Sequence, residues 1–327
     1  VPGGGALYAN FDCPMGDISE PGLRSEGPNF YNMIKLGEAL TADDAIQALY
    51  VFNSNPAATA PNQNKVIAGM ARDDLFVAVH ELFMSDTAQR ANLVLPACTQ
   101  AEQWDVHRSY WHDYAQINHP AIAPLGEARS NHWVFGEIAR AMGFDEPCFS
   151  ESEEDTLRGL LAGTGLDFDA LAAGPVPCRP LETTSFADRH FPTPSGKLEL
   201  ITPSYTPAPP EGEHRYRFIT PKSRHLQSSQ MFNVARKQAG LREAVLYLHP
   251  EDGAREGIDD GANVRVWNGR GAVDLVARLS EDVQPGLVAS YMVRWGLNAN
   301  ATTPDAAADM GGNSTFHTNF VSLAPGG

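Results

Sequence analysis

The residues best suited to chemistry in this chain are cations. Between His214 and Arg242 lie Arg215, Arg217, Lys222, Arg224, Arg236, Lys237 and Arg242, with no acidic residue among them. The whole chain has 24 Lys+Arg against 40 Asp+Glu, a formal charge of −16. Residues 1–214 hold 12 basic and 29 acidic residues, a balance of −17, and residues 215–327 hold 12 and 11, a balance of +1. A local basic stretch in an acidic protein suits an anionic ligand held by charge-assisted hydrogen bonds, while the total charge argues against nucleic acid. The alternative is a solvated face that balances the acidic half.

Other chemistries find little support. Cys13, Cys98, Cys148 and Cys178 form no C-x-x-C pair, so no local iron–sulfur or zinc signature is present. Isolated thiols fit a reducing compartment, hence the cytoplasm. His107, His112 and His119 are not three or four apart, the spacing that puts two ligands on one helical face. Aromatic packing around Trp104, Tyr110, Trp111 and Tyr114 is the preferred reading of that stretch. Thr193-Pro194-Ser195-Gly196-Lys197 has one glycine where a phosphate loop needs two. There is no G-x-S-x-G and no paired-carboxylate motif, so no general base or nucleophile is assigned.

The cations lie at the head of a segment patterned as a small barrel. Tyr216 to Thr220 and Val245 to Leu248 are runs of strand length. Pro250 fits the first turn of a short helix, where its missing N–H costs nothing, and Gly257 can end that helix in the left-handed region. Val264 and Val266, then Val273, Leu275, Ala277 and Leu279, form two alternating runs around Asn268-Gly269, a hairpin signal that Arg270-Gly271 can share. Pro285-Gly286 turns the chain into a run from Leu287 to Val293. This order predicts a β-barrel with one helix.

Upstream, Ala45–Phe52 and Leu75–Val79 read as strands buried on both faces and Asn92–Leu95 as a third. A helix starts within Pro61–Met70, and Ser85 or Asp86 can cap a shorter one. Strands alternating with helices predict a parallel sheet whose ligands sit at the carboxyl ends of the strands, here Asn53–Pro56 and His80–Ser85. Further on, Ser130 or Asn131 caps a helix with Val134, Phe135, Ile138 and Met142 on one face. Leu157 to Leu171 reads as helical. Pro203–Pro210, with four prolines, is the best domain boundary.

HPEDGAREGIDDGANVRVWNGRGAVDLVARLSEDVQPGLV resembles the molybdopterin-dinucleotide-binding domain of the dimethyl-sulfoxide-reductase family of molybdenum enzymes. Gly253 stands where that family's Pro-Glu-Asp-Ala helix has its alanine. Asn55-Pro56 and Thr87-Ala88…Ala91-Asn92-Leu93-Val94-Leu95-Pro96 are similar, in order, to motifs of the family's third domain, with Asn92 replacing the usual Asp. The run from Pro124 to Trp133 and the helix after it also match. The resemblance implies an α/β fold: a partial Rossmann-like parallel-sheet domain at residues 1–205, then a double-psi β-barrel at residues 206–327. It implies cofactor contacts at Asn53, Ser54, Asn55, Pro56, His80 and Thr87, His80-Glu81 lying near a position often held by an Asp that reads guanine. In the barrel it implies Lys222, Arg224, His225, Ser228 and Ser229, in the loop that wraps pterin and phosphates, and Asn313, His317, Thr318 and Asn319, in the last pterin-contacting turn.

The implied cofactor is bis-molybdopterin guanine dinucleotide with molybdenum or tungsten; an iron–sulfur cluster would belong to a missing N-terminal part. The start, VPGGGALYAN, has neither a Met nor a signal peptide's n- and h-regions. The expectation is therefore the C-terminal part of an oxidoreductase, partnered by its own N-terminal domains and an electron-transfer subunit. Alone it would lack the metal-ligand segment, be inactive and be able to exist without cofactor. No run reaches membrane-span length, so no membrane insertion is expected. Two other functions stay open: a metal-free homologue acting as an electron-transfer scaffold, and a stand-alone guanine-nucleotide-binding module.

Overall fold

The computed structural model describes residues 31–42, 46–109, 112–178, 186–200, 210, 212–239, 243–291, 294–308 and 312–326. Expectations for residues 1–30 with Cys13, for Tyr110, Trp111 and Arg242, for the end of the run to Val293 and for most of Pro203–Pro210 lie outside them. Contacts divide the chain into two compact units, one within Pro96–Tyr205 and the other within Asn29–Leu95 and Thr206–Gly327.

The second unit begins with α1 (Leu36–Ala42), β1 (Ala48–Phe52), α2 (Pro56–Thr59), α3 (Gln63–Met70), β2 (Phe76–Glu81) and β3 (Leu93–Pro96). The strands form one sheet in the order β1-β2-β3, and β1 runs parallel to β2 with Phe52 opposite His80. Leu40, Val66, Met70, Val77 and Val79 make the core beneath it. β2 is interior, as its apolar run requires. β1 is not buried on both faces: only Val51 is buried and Phe52 is 42% exposed, because β1 is the edge strand among the described residues. In place of the short α-helix after β2 there is one 3-10 turn, Ala88–Arg90.

The other unit holds a hairpin that the sequence did not announce, β4 (Asp105–Arg108) and β5 (Tyr114–Asn118). Helices α4 (Asn131–Ala141), α5 (Glu153–Leu161) and α6 (Phe168–Ala173) follow, and β6 (Val176–Pro177) pairs with β5. Trp104 packs on Phe168 with ring centroids 6.0 Å apart, in line with the aromatic reading. Ser130 caps α4, its Oγ accepting the Trp133 N–H at 3.2 Å. The helix buries Val134, Gly136 and Ala139, leaving Phe135 39% and Met142 69% exposed, contrary to the expected face. Gly136 permits the close approach on this side: a Cβ there would lie 2.7 Å from the Phe149 carbonyl. The single helix expected from Leu157 to Leu171 is two, broken where Gly163 and Gly165 take φ of 82° and 80°.

The chain then re-enters the second unit: β7 (Tyr216–Ile219), α7 (Ala235–Gln238), β8 (Val245–Leu248), α8 (Pro250–Glu256), β9 (Asn263–Asn268), β10 (Gly271–Leu279), β11 (Leu287–Ala289) and β12 (Phe320–Pro325). Six strands close into a barrel in the order β10-β8-β11-β7-β12-β9. β10 with β8, and β11 with β7, pair in parallel; the remaining neighbours are antiparallel. Phe218, Leu246, Leu248, Val264, Val266, Ala277 and Val288 fill it, each at 0% exposure, as the alternation demands.

Both helix signals hold. Pro250 opens α8, whose His249 Nδ1 accepts the Glu251 N–H, and Gly257 ends it at φ 67°. Asp252 is fully buried between the Arg255 guanidinium at 2.6 Å and the Gly286 N–H at 2.7 Å, tying α8 to the turn before β11. Asn268 serves less as a turn residue than as an interior amide. It pairs with Gly271 across a Gly269-Arg270 turn, and its Nδ2 donates to the Thr302 and Phe320 carbonyls and to Asn319 Oδ1.

Candidate cofactor-binding site

The strand ends at which a parallel sheet receives ligands are held together by one reciprocal contact. Asn55 Oδ1 accepts the Thr87 N–H at 3.1 Å and the Thr87 hydroxyl at 2.7 Å, and Thr87 Oγ1 accepts the Ala57 N–H at 3.0 Å. Pro56 sits at the start of α2, where no N–H is needed. Thr87 is 0% and Asn55 6% exposed, whereas Asn53, at φ 51°, and Ser54 are exposed. His80 is a core residue at 1% exposure. Its neighbour Glu81 reaches the surface of a cavity, taking the Leu82 N–H at 2.8 Å.

That cavity, of about 260 Å³, is lined from β1 and β2 by Asn55, Glu81, Leu82, Phe83 and Ser85, and from the barrel by Ser229, Gln230, Met231, Asn233, Val234 and Trp295. Trp295 stacks on Phe232 at 5.7 Å and donates its indole N–H to the Ser229 carbonyl at 2.9 Å, which fixes the barrel loop over the sheet's strand ends.

The residues behind the cavity join sheet and barrel through buried amides. Asp86 Oδ1 accepts the Gly296 N–H at 2.6 Å; Gln63 donates to the Gly296 carbonyl at 3.0 Å and accepts the Asn298 N–H at 3.1 Å. Asn298 and Asn300 both donate to the Ala58 carbonyl, at 3.1 and 2.9 Å. Gly271 is required where the hairpin meets α3: a Cβ there would collide with the Asn64 side chain and the Ala301 carbonyl.

At this joint three buried polar atoms lack a hydrogen-bond partner among the described residues: Asn55 Nδ2, Asp86 Oδ2 and Arg294 Nη1. Burial lowers the pKa of the Arg294 guanidinium from its ordinary value. Interiors rarely leave such groups unpaired, each costing on the order of 1–3 kcal/mol. Two donors and one acceptor left over beside an apolar, Trp-walled cavity fit a polar ligand with phosphate oxygens and a base.

Of the residues expected from sequence, the cavity brings together Asn55 and Ser229, while Pro56 and Thr87 support it. Lys222 and Arg224 are exposed in the loop after β7, where Arg224 Nε donates to His225 Nε2 at 3.3 Å. Ser228 is half-buried at φ 53°. In the closing turn Asn313 is exposed, and the exposed His317 accepts the Arg217 Nε–H through its carbonyl at 2.8 Å. Thr318 closes a turn onto the Thr315 carbonyl. The Asn319 amide is engaged inside the barrel, accepting from Asn268 and donating to Thr302 Oγ1 at 3.0 Å. Glu81 and Phe83 lie in the strand-end stretch His80–Ser85 expected to receive a ligand, Glu81 beside the guanine-reading position that the resemblance implies, although neither was singled out as a contact; Trp295 was missed, because nothing in the sequence relates it to β1. Among the described residues no group of three or more His, Cys, Asp or Glu side chains could hold a metal ion, and no helix is long and apolar enough to cross a membrane.

Comparisons with known proteins align with this geometry. Residues 28–141 match the family model described as molybdopterin oxidoreductase, and residues 216–320 match the molydopterin dinucleotide binding domain. The "Probable oxidoreductase YoaE" of Bacillus subtilis is 34% identical over 98% of this chain and 51% of its own length. The biotin sulfoxide reductase of Cereibacter sphaeroides is 28% identical over 92% of this chain and 45% of its own. The chain thus spans about half the length of the curated relatives it matches. The structure of acetylene hydratase from Pelobacter acetylenicus superposes with a TM-score of 0.75 at 18% identity, over 92% of this chain and 47% of that one, a likeness of fold. The chain thus carries, in order, matches to the molybdopterin oxidoreductase model and to the molydopterin dinucleotide binding domain, and residues of both matched stretches line one cavity.

Proposed function

We propose that this chain is the C-terminal, cofactor-holding part of a molybdenum or tungsten oxidoreductase that uses bis-molybdopterin guanine dinucleotide. The cofactor supplies two-electron redox chemistry at its metal. This chain's residues bind and orient it and keep water from its nucleotide end. The observation that carries the reading is the cavity between the strand ends of β1 and β2 and the barrel loop, with the unpaired Asn55 Nδ2 on a lining residue and the unpaired Arg294 Nη1 on the chain neighbour of the lining Trp295. In this reading the two donors hold phosphate oxygens, Trp295 and Phe83 wall the base, and the Glu81 carboxylate accepts from the N–H groups of guanine. Lys222, Arg224, His225 and Ser228, with the turn at Asn313, His317 and Thr318, face the pterin side.

The finer fold assignments belong to the same proposal. The six-stranded barrel is read as double-psi, the β1-β2-β3 sheet as part of a Rossmann-like domain, and the domains as residues 1–205 and 206–327. The metal ligand, any iron–sulfur cluster and the electron-transfer contacts are assigned to upstream chain, and the location to the cytoplasm. Glu81→Gln in the full-length protein tests the nucleotide end. The variant is expected to fold normally and to retain several-fold less pterin–guanine dinucleotide. Unchanged dinucleotide content would contradict the assignment of this cavity.

A further inference from the structure

The hairpin of β4 and β5 carries a second cavity, and its lining has one chemical character. It measures about 450 Å³, within the roughly 300–1,000 Å³ range of small-molecule sites. Among the described residues, His107, Arg108, Ser109, His112, Tyr114 and Gln116 supply its polar groups, Ala115 and Pro175 also line it, and no carboxylate does.

Five residues apart, His107 and His112 would diverge on a helix. In the antiparallel hairpin they come together: His107 of β4 and His112 of the loop before β5 are both among the residues that line one hollow. Among the described residues neither the His107 nor the Arg108 side chain has a hydrogen bond or ion pair. Arg108 is an exposed cation with no ion-pair partner among the described residues, in a protein of net charge −16. The His112 Nδ1 accepts the Tyr114 N–H at 3.3 Å, and the ring meets Tyr114 edge-on at 5.8 Å. A neutral imidazole that accepts at Nδ1 carries its proton on Nε2 and is therefore a donor on its free side. Guanidinium, imidazole, hydroxyl and amide donors around a carboxylate-free hollow are complementary to an oxyanion.

We propose that this cavity binds a small oxyanion-bearing molecule. Arg108 makes the charged contact, and His107 and His112 supply the flanking donors. The described residues that line it all belong to the Pro96–Tyr205 unit, and the proposal does not rest on the cofactor reading.

The test titrates the full chain with inorganic phosphate and, separately, with benzoate at fixed ionic strength. It follows binding heat and the imidazole C–H resonances. Saturable binding of at least one probe, in the millimolar range, is expected, with two imidazole resonances moving together. Whichever probe binds more tightly separates a phosphate-type from a carboxylate-type ligand. Arg108→Gln is expected to weaken binding at least tenfold, and Gln116→Glu, which puts a carboxylate into the lining, to abolish it. Both positions are exposed, and far-UV circular dichroism checks that each variant folds. Absence of saturation with both probes, or equal affinity in wild type and Arg108→Gln, would overturn the proposal.

Discussion

Asn55 and Thr87, 32 residues apart, form one buried unit: a single amide oxygen accepts both the backbone N–H and the hydroxyl of the threonine, at 3.1 and 2.7 Å. Thr87 in turn accepts the Ala57 N–H, so the start of α2 is set by a side chain from beyond β2. Thr87→Val keeps the shape and removes the hydroxyl, leaving Ala57 N–H unpaired. It is expected to destabilise the protein by about 1–3 kcal/mol in denaturant unfolding. No measurable change would mean that the two strand ends are held by packing alone.

Asn55→Asp separates support from ligand binding. The retained oxygen still accepts from Thr87, while the unpaired Nδ2 donor is replaced by an acceptor. Cofactor content of the full-length protein is expected to fall by much more than stability does. Equal loss of both would show that Asn55 acts only through the fold.

Gly253 stands where a related helix would carry alanine, and the structure gives the reason. A Cβ there would lie 2.7 Å from Leu279 Cδ2 and 2.9 Å from the Ile258 carbonyl. Alanine normally stabilises a helix interior, yet Gly253→Ala is expected to cost about 1–3 kcal/mol through overpacking. A variant as stable as wild type would show that Leu279 gives way freely.

Tyr216 is pushed up to about 12 by burial and then by its hydrogen bond to Glu256 Oε1 at 2.5 Å. Its folded pKa lies above the ordinary tyrosine value of 10.0, so its contribution to stability is complete below pH 10 and is lost as pH rises towards 12. The stability difference between wild type and Tyr216→Phe, measured across that window, should shrink with rising pH. A constant difference would contradict the raised pKa.

Arg294 makes the opposite kind of prediction. Its guanidinium is partly buried with one nitrogen unpaired, 5.8 Å from the Phe232 ring centroid. Arg294→Met keeps most of the apolar contact and removes a desolvated charge. Without cofactor the variant should be at least as stable as wild type by thermal unfolding, while retaining less cofactor. Loss of stability without cofactor would show that Arg294 is a structural residue.

Much of the barrel was legible because its strands alternate and its helix has fixed ends. Val264, Val266, Val273, Leu275 and Ala277 all point inward, and Pro250 and Gly257 mark α8 as local conformational rules require. The hairpin of β4 and β5 was not legible: histidines and aromatics mask its two-residue period, and the pairing of His107 with Gln116 depends on a reversal that local pattern does not encode. The exposure of β1 was misjudged because an apolar run such as ALYVF records composition, not position in the sheet. The cavity was half legible. Asn55 and Ser229 were found through motif and loop chemistry and Glu81 lay in an expected strand end, but Trp295 enters it through packing between stretches more than 200 residues apart in the chain.

The central claim is that this chain holds a molybdopterin dinucleotide. The direct measurement is on purified full-length protein: molybdenum and tungsten by elemental analysis, and released pterin and guanine nucleotide by chromatography after denaturation. The account predicts metal together with about two dinucleotides per chain, the expectation for a complete bis-dinucleotide site. Well-folded full-length protein with neither metal nor pterin would contradict it and favour a scaffold that has lost the cofactor.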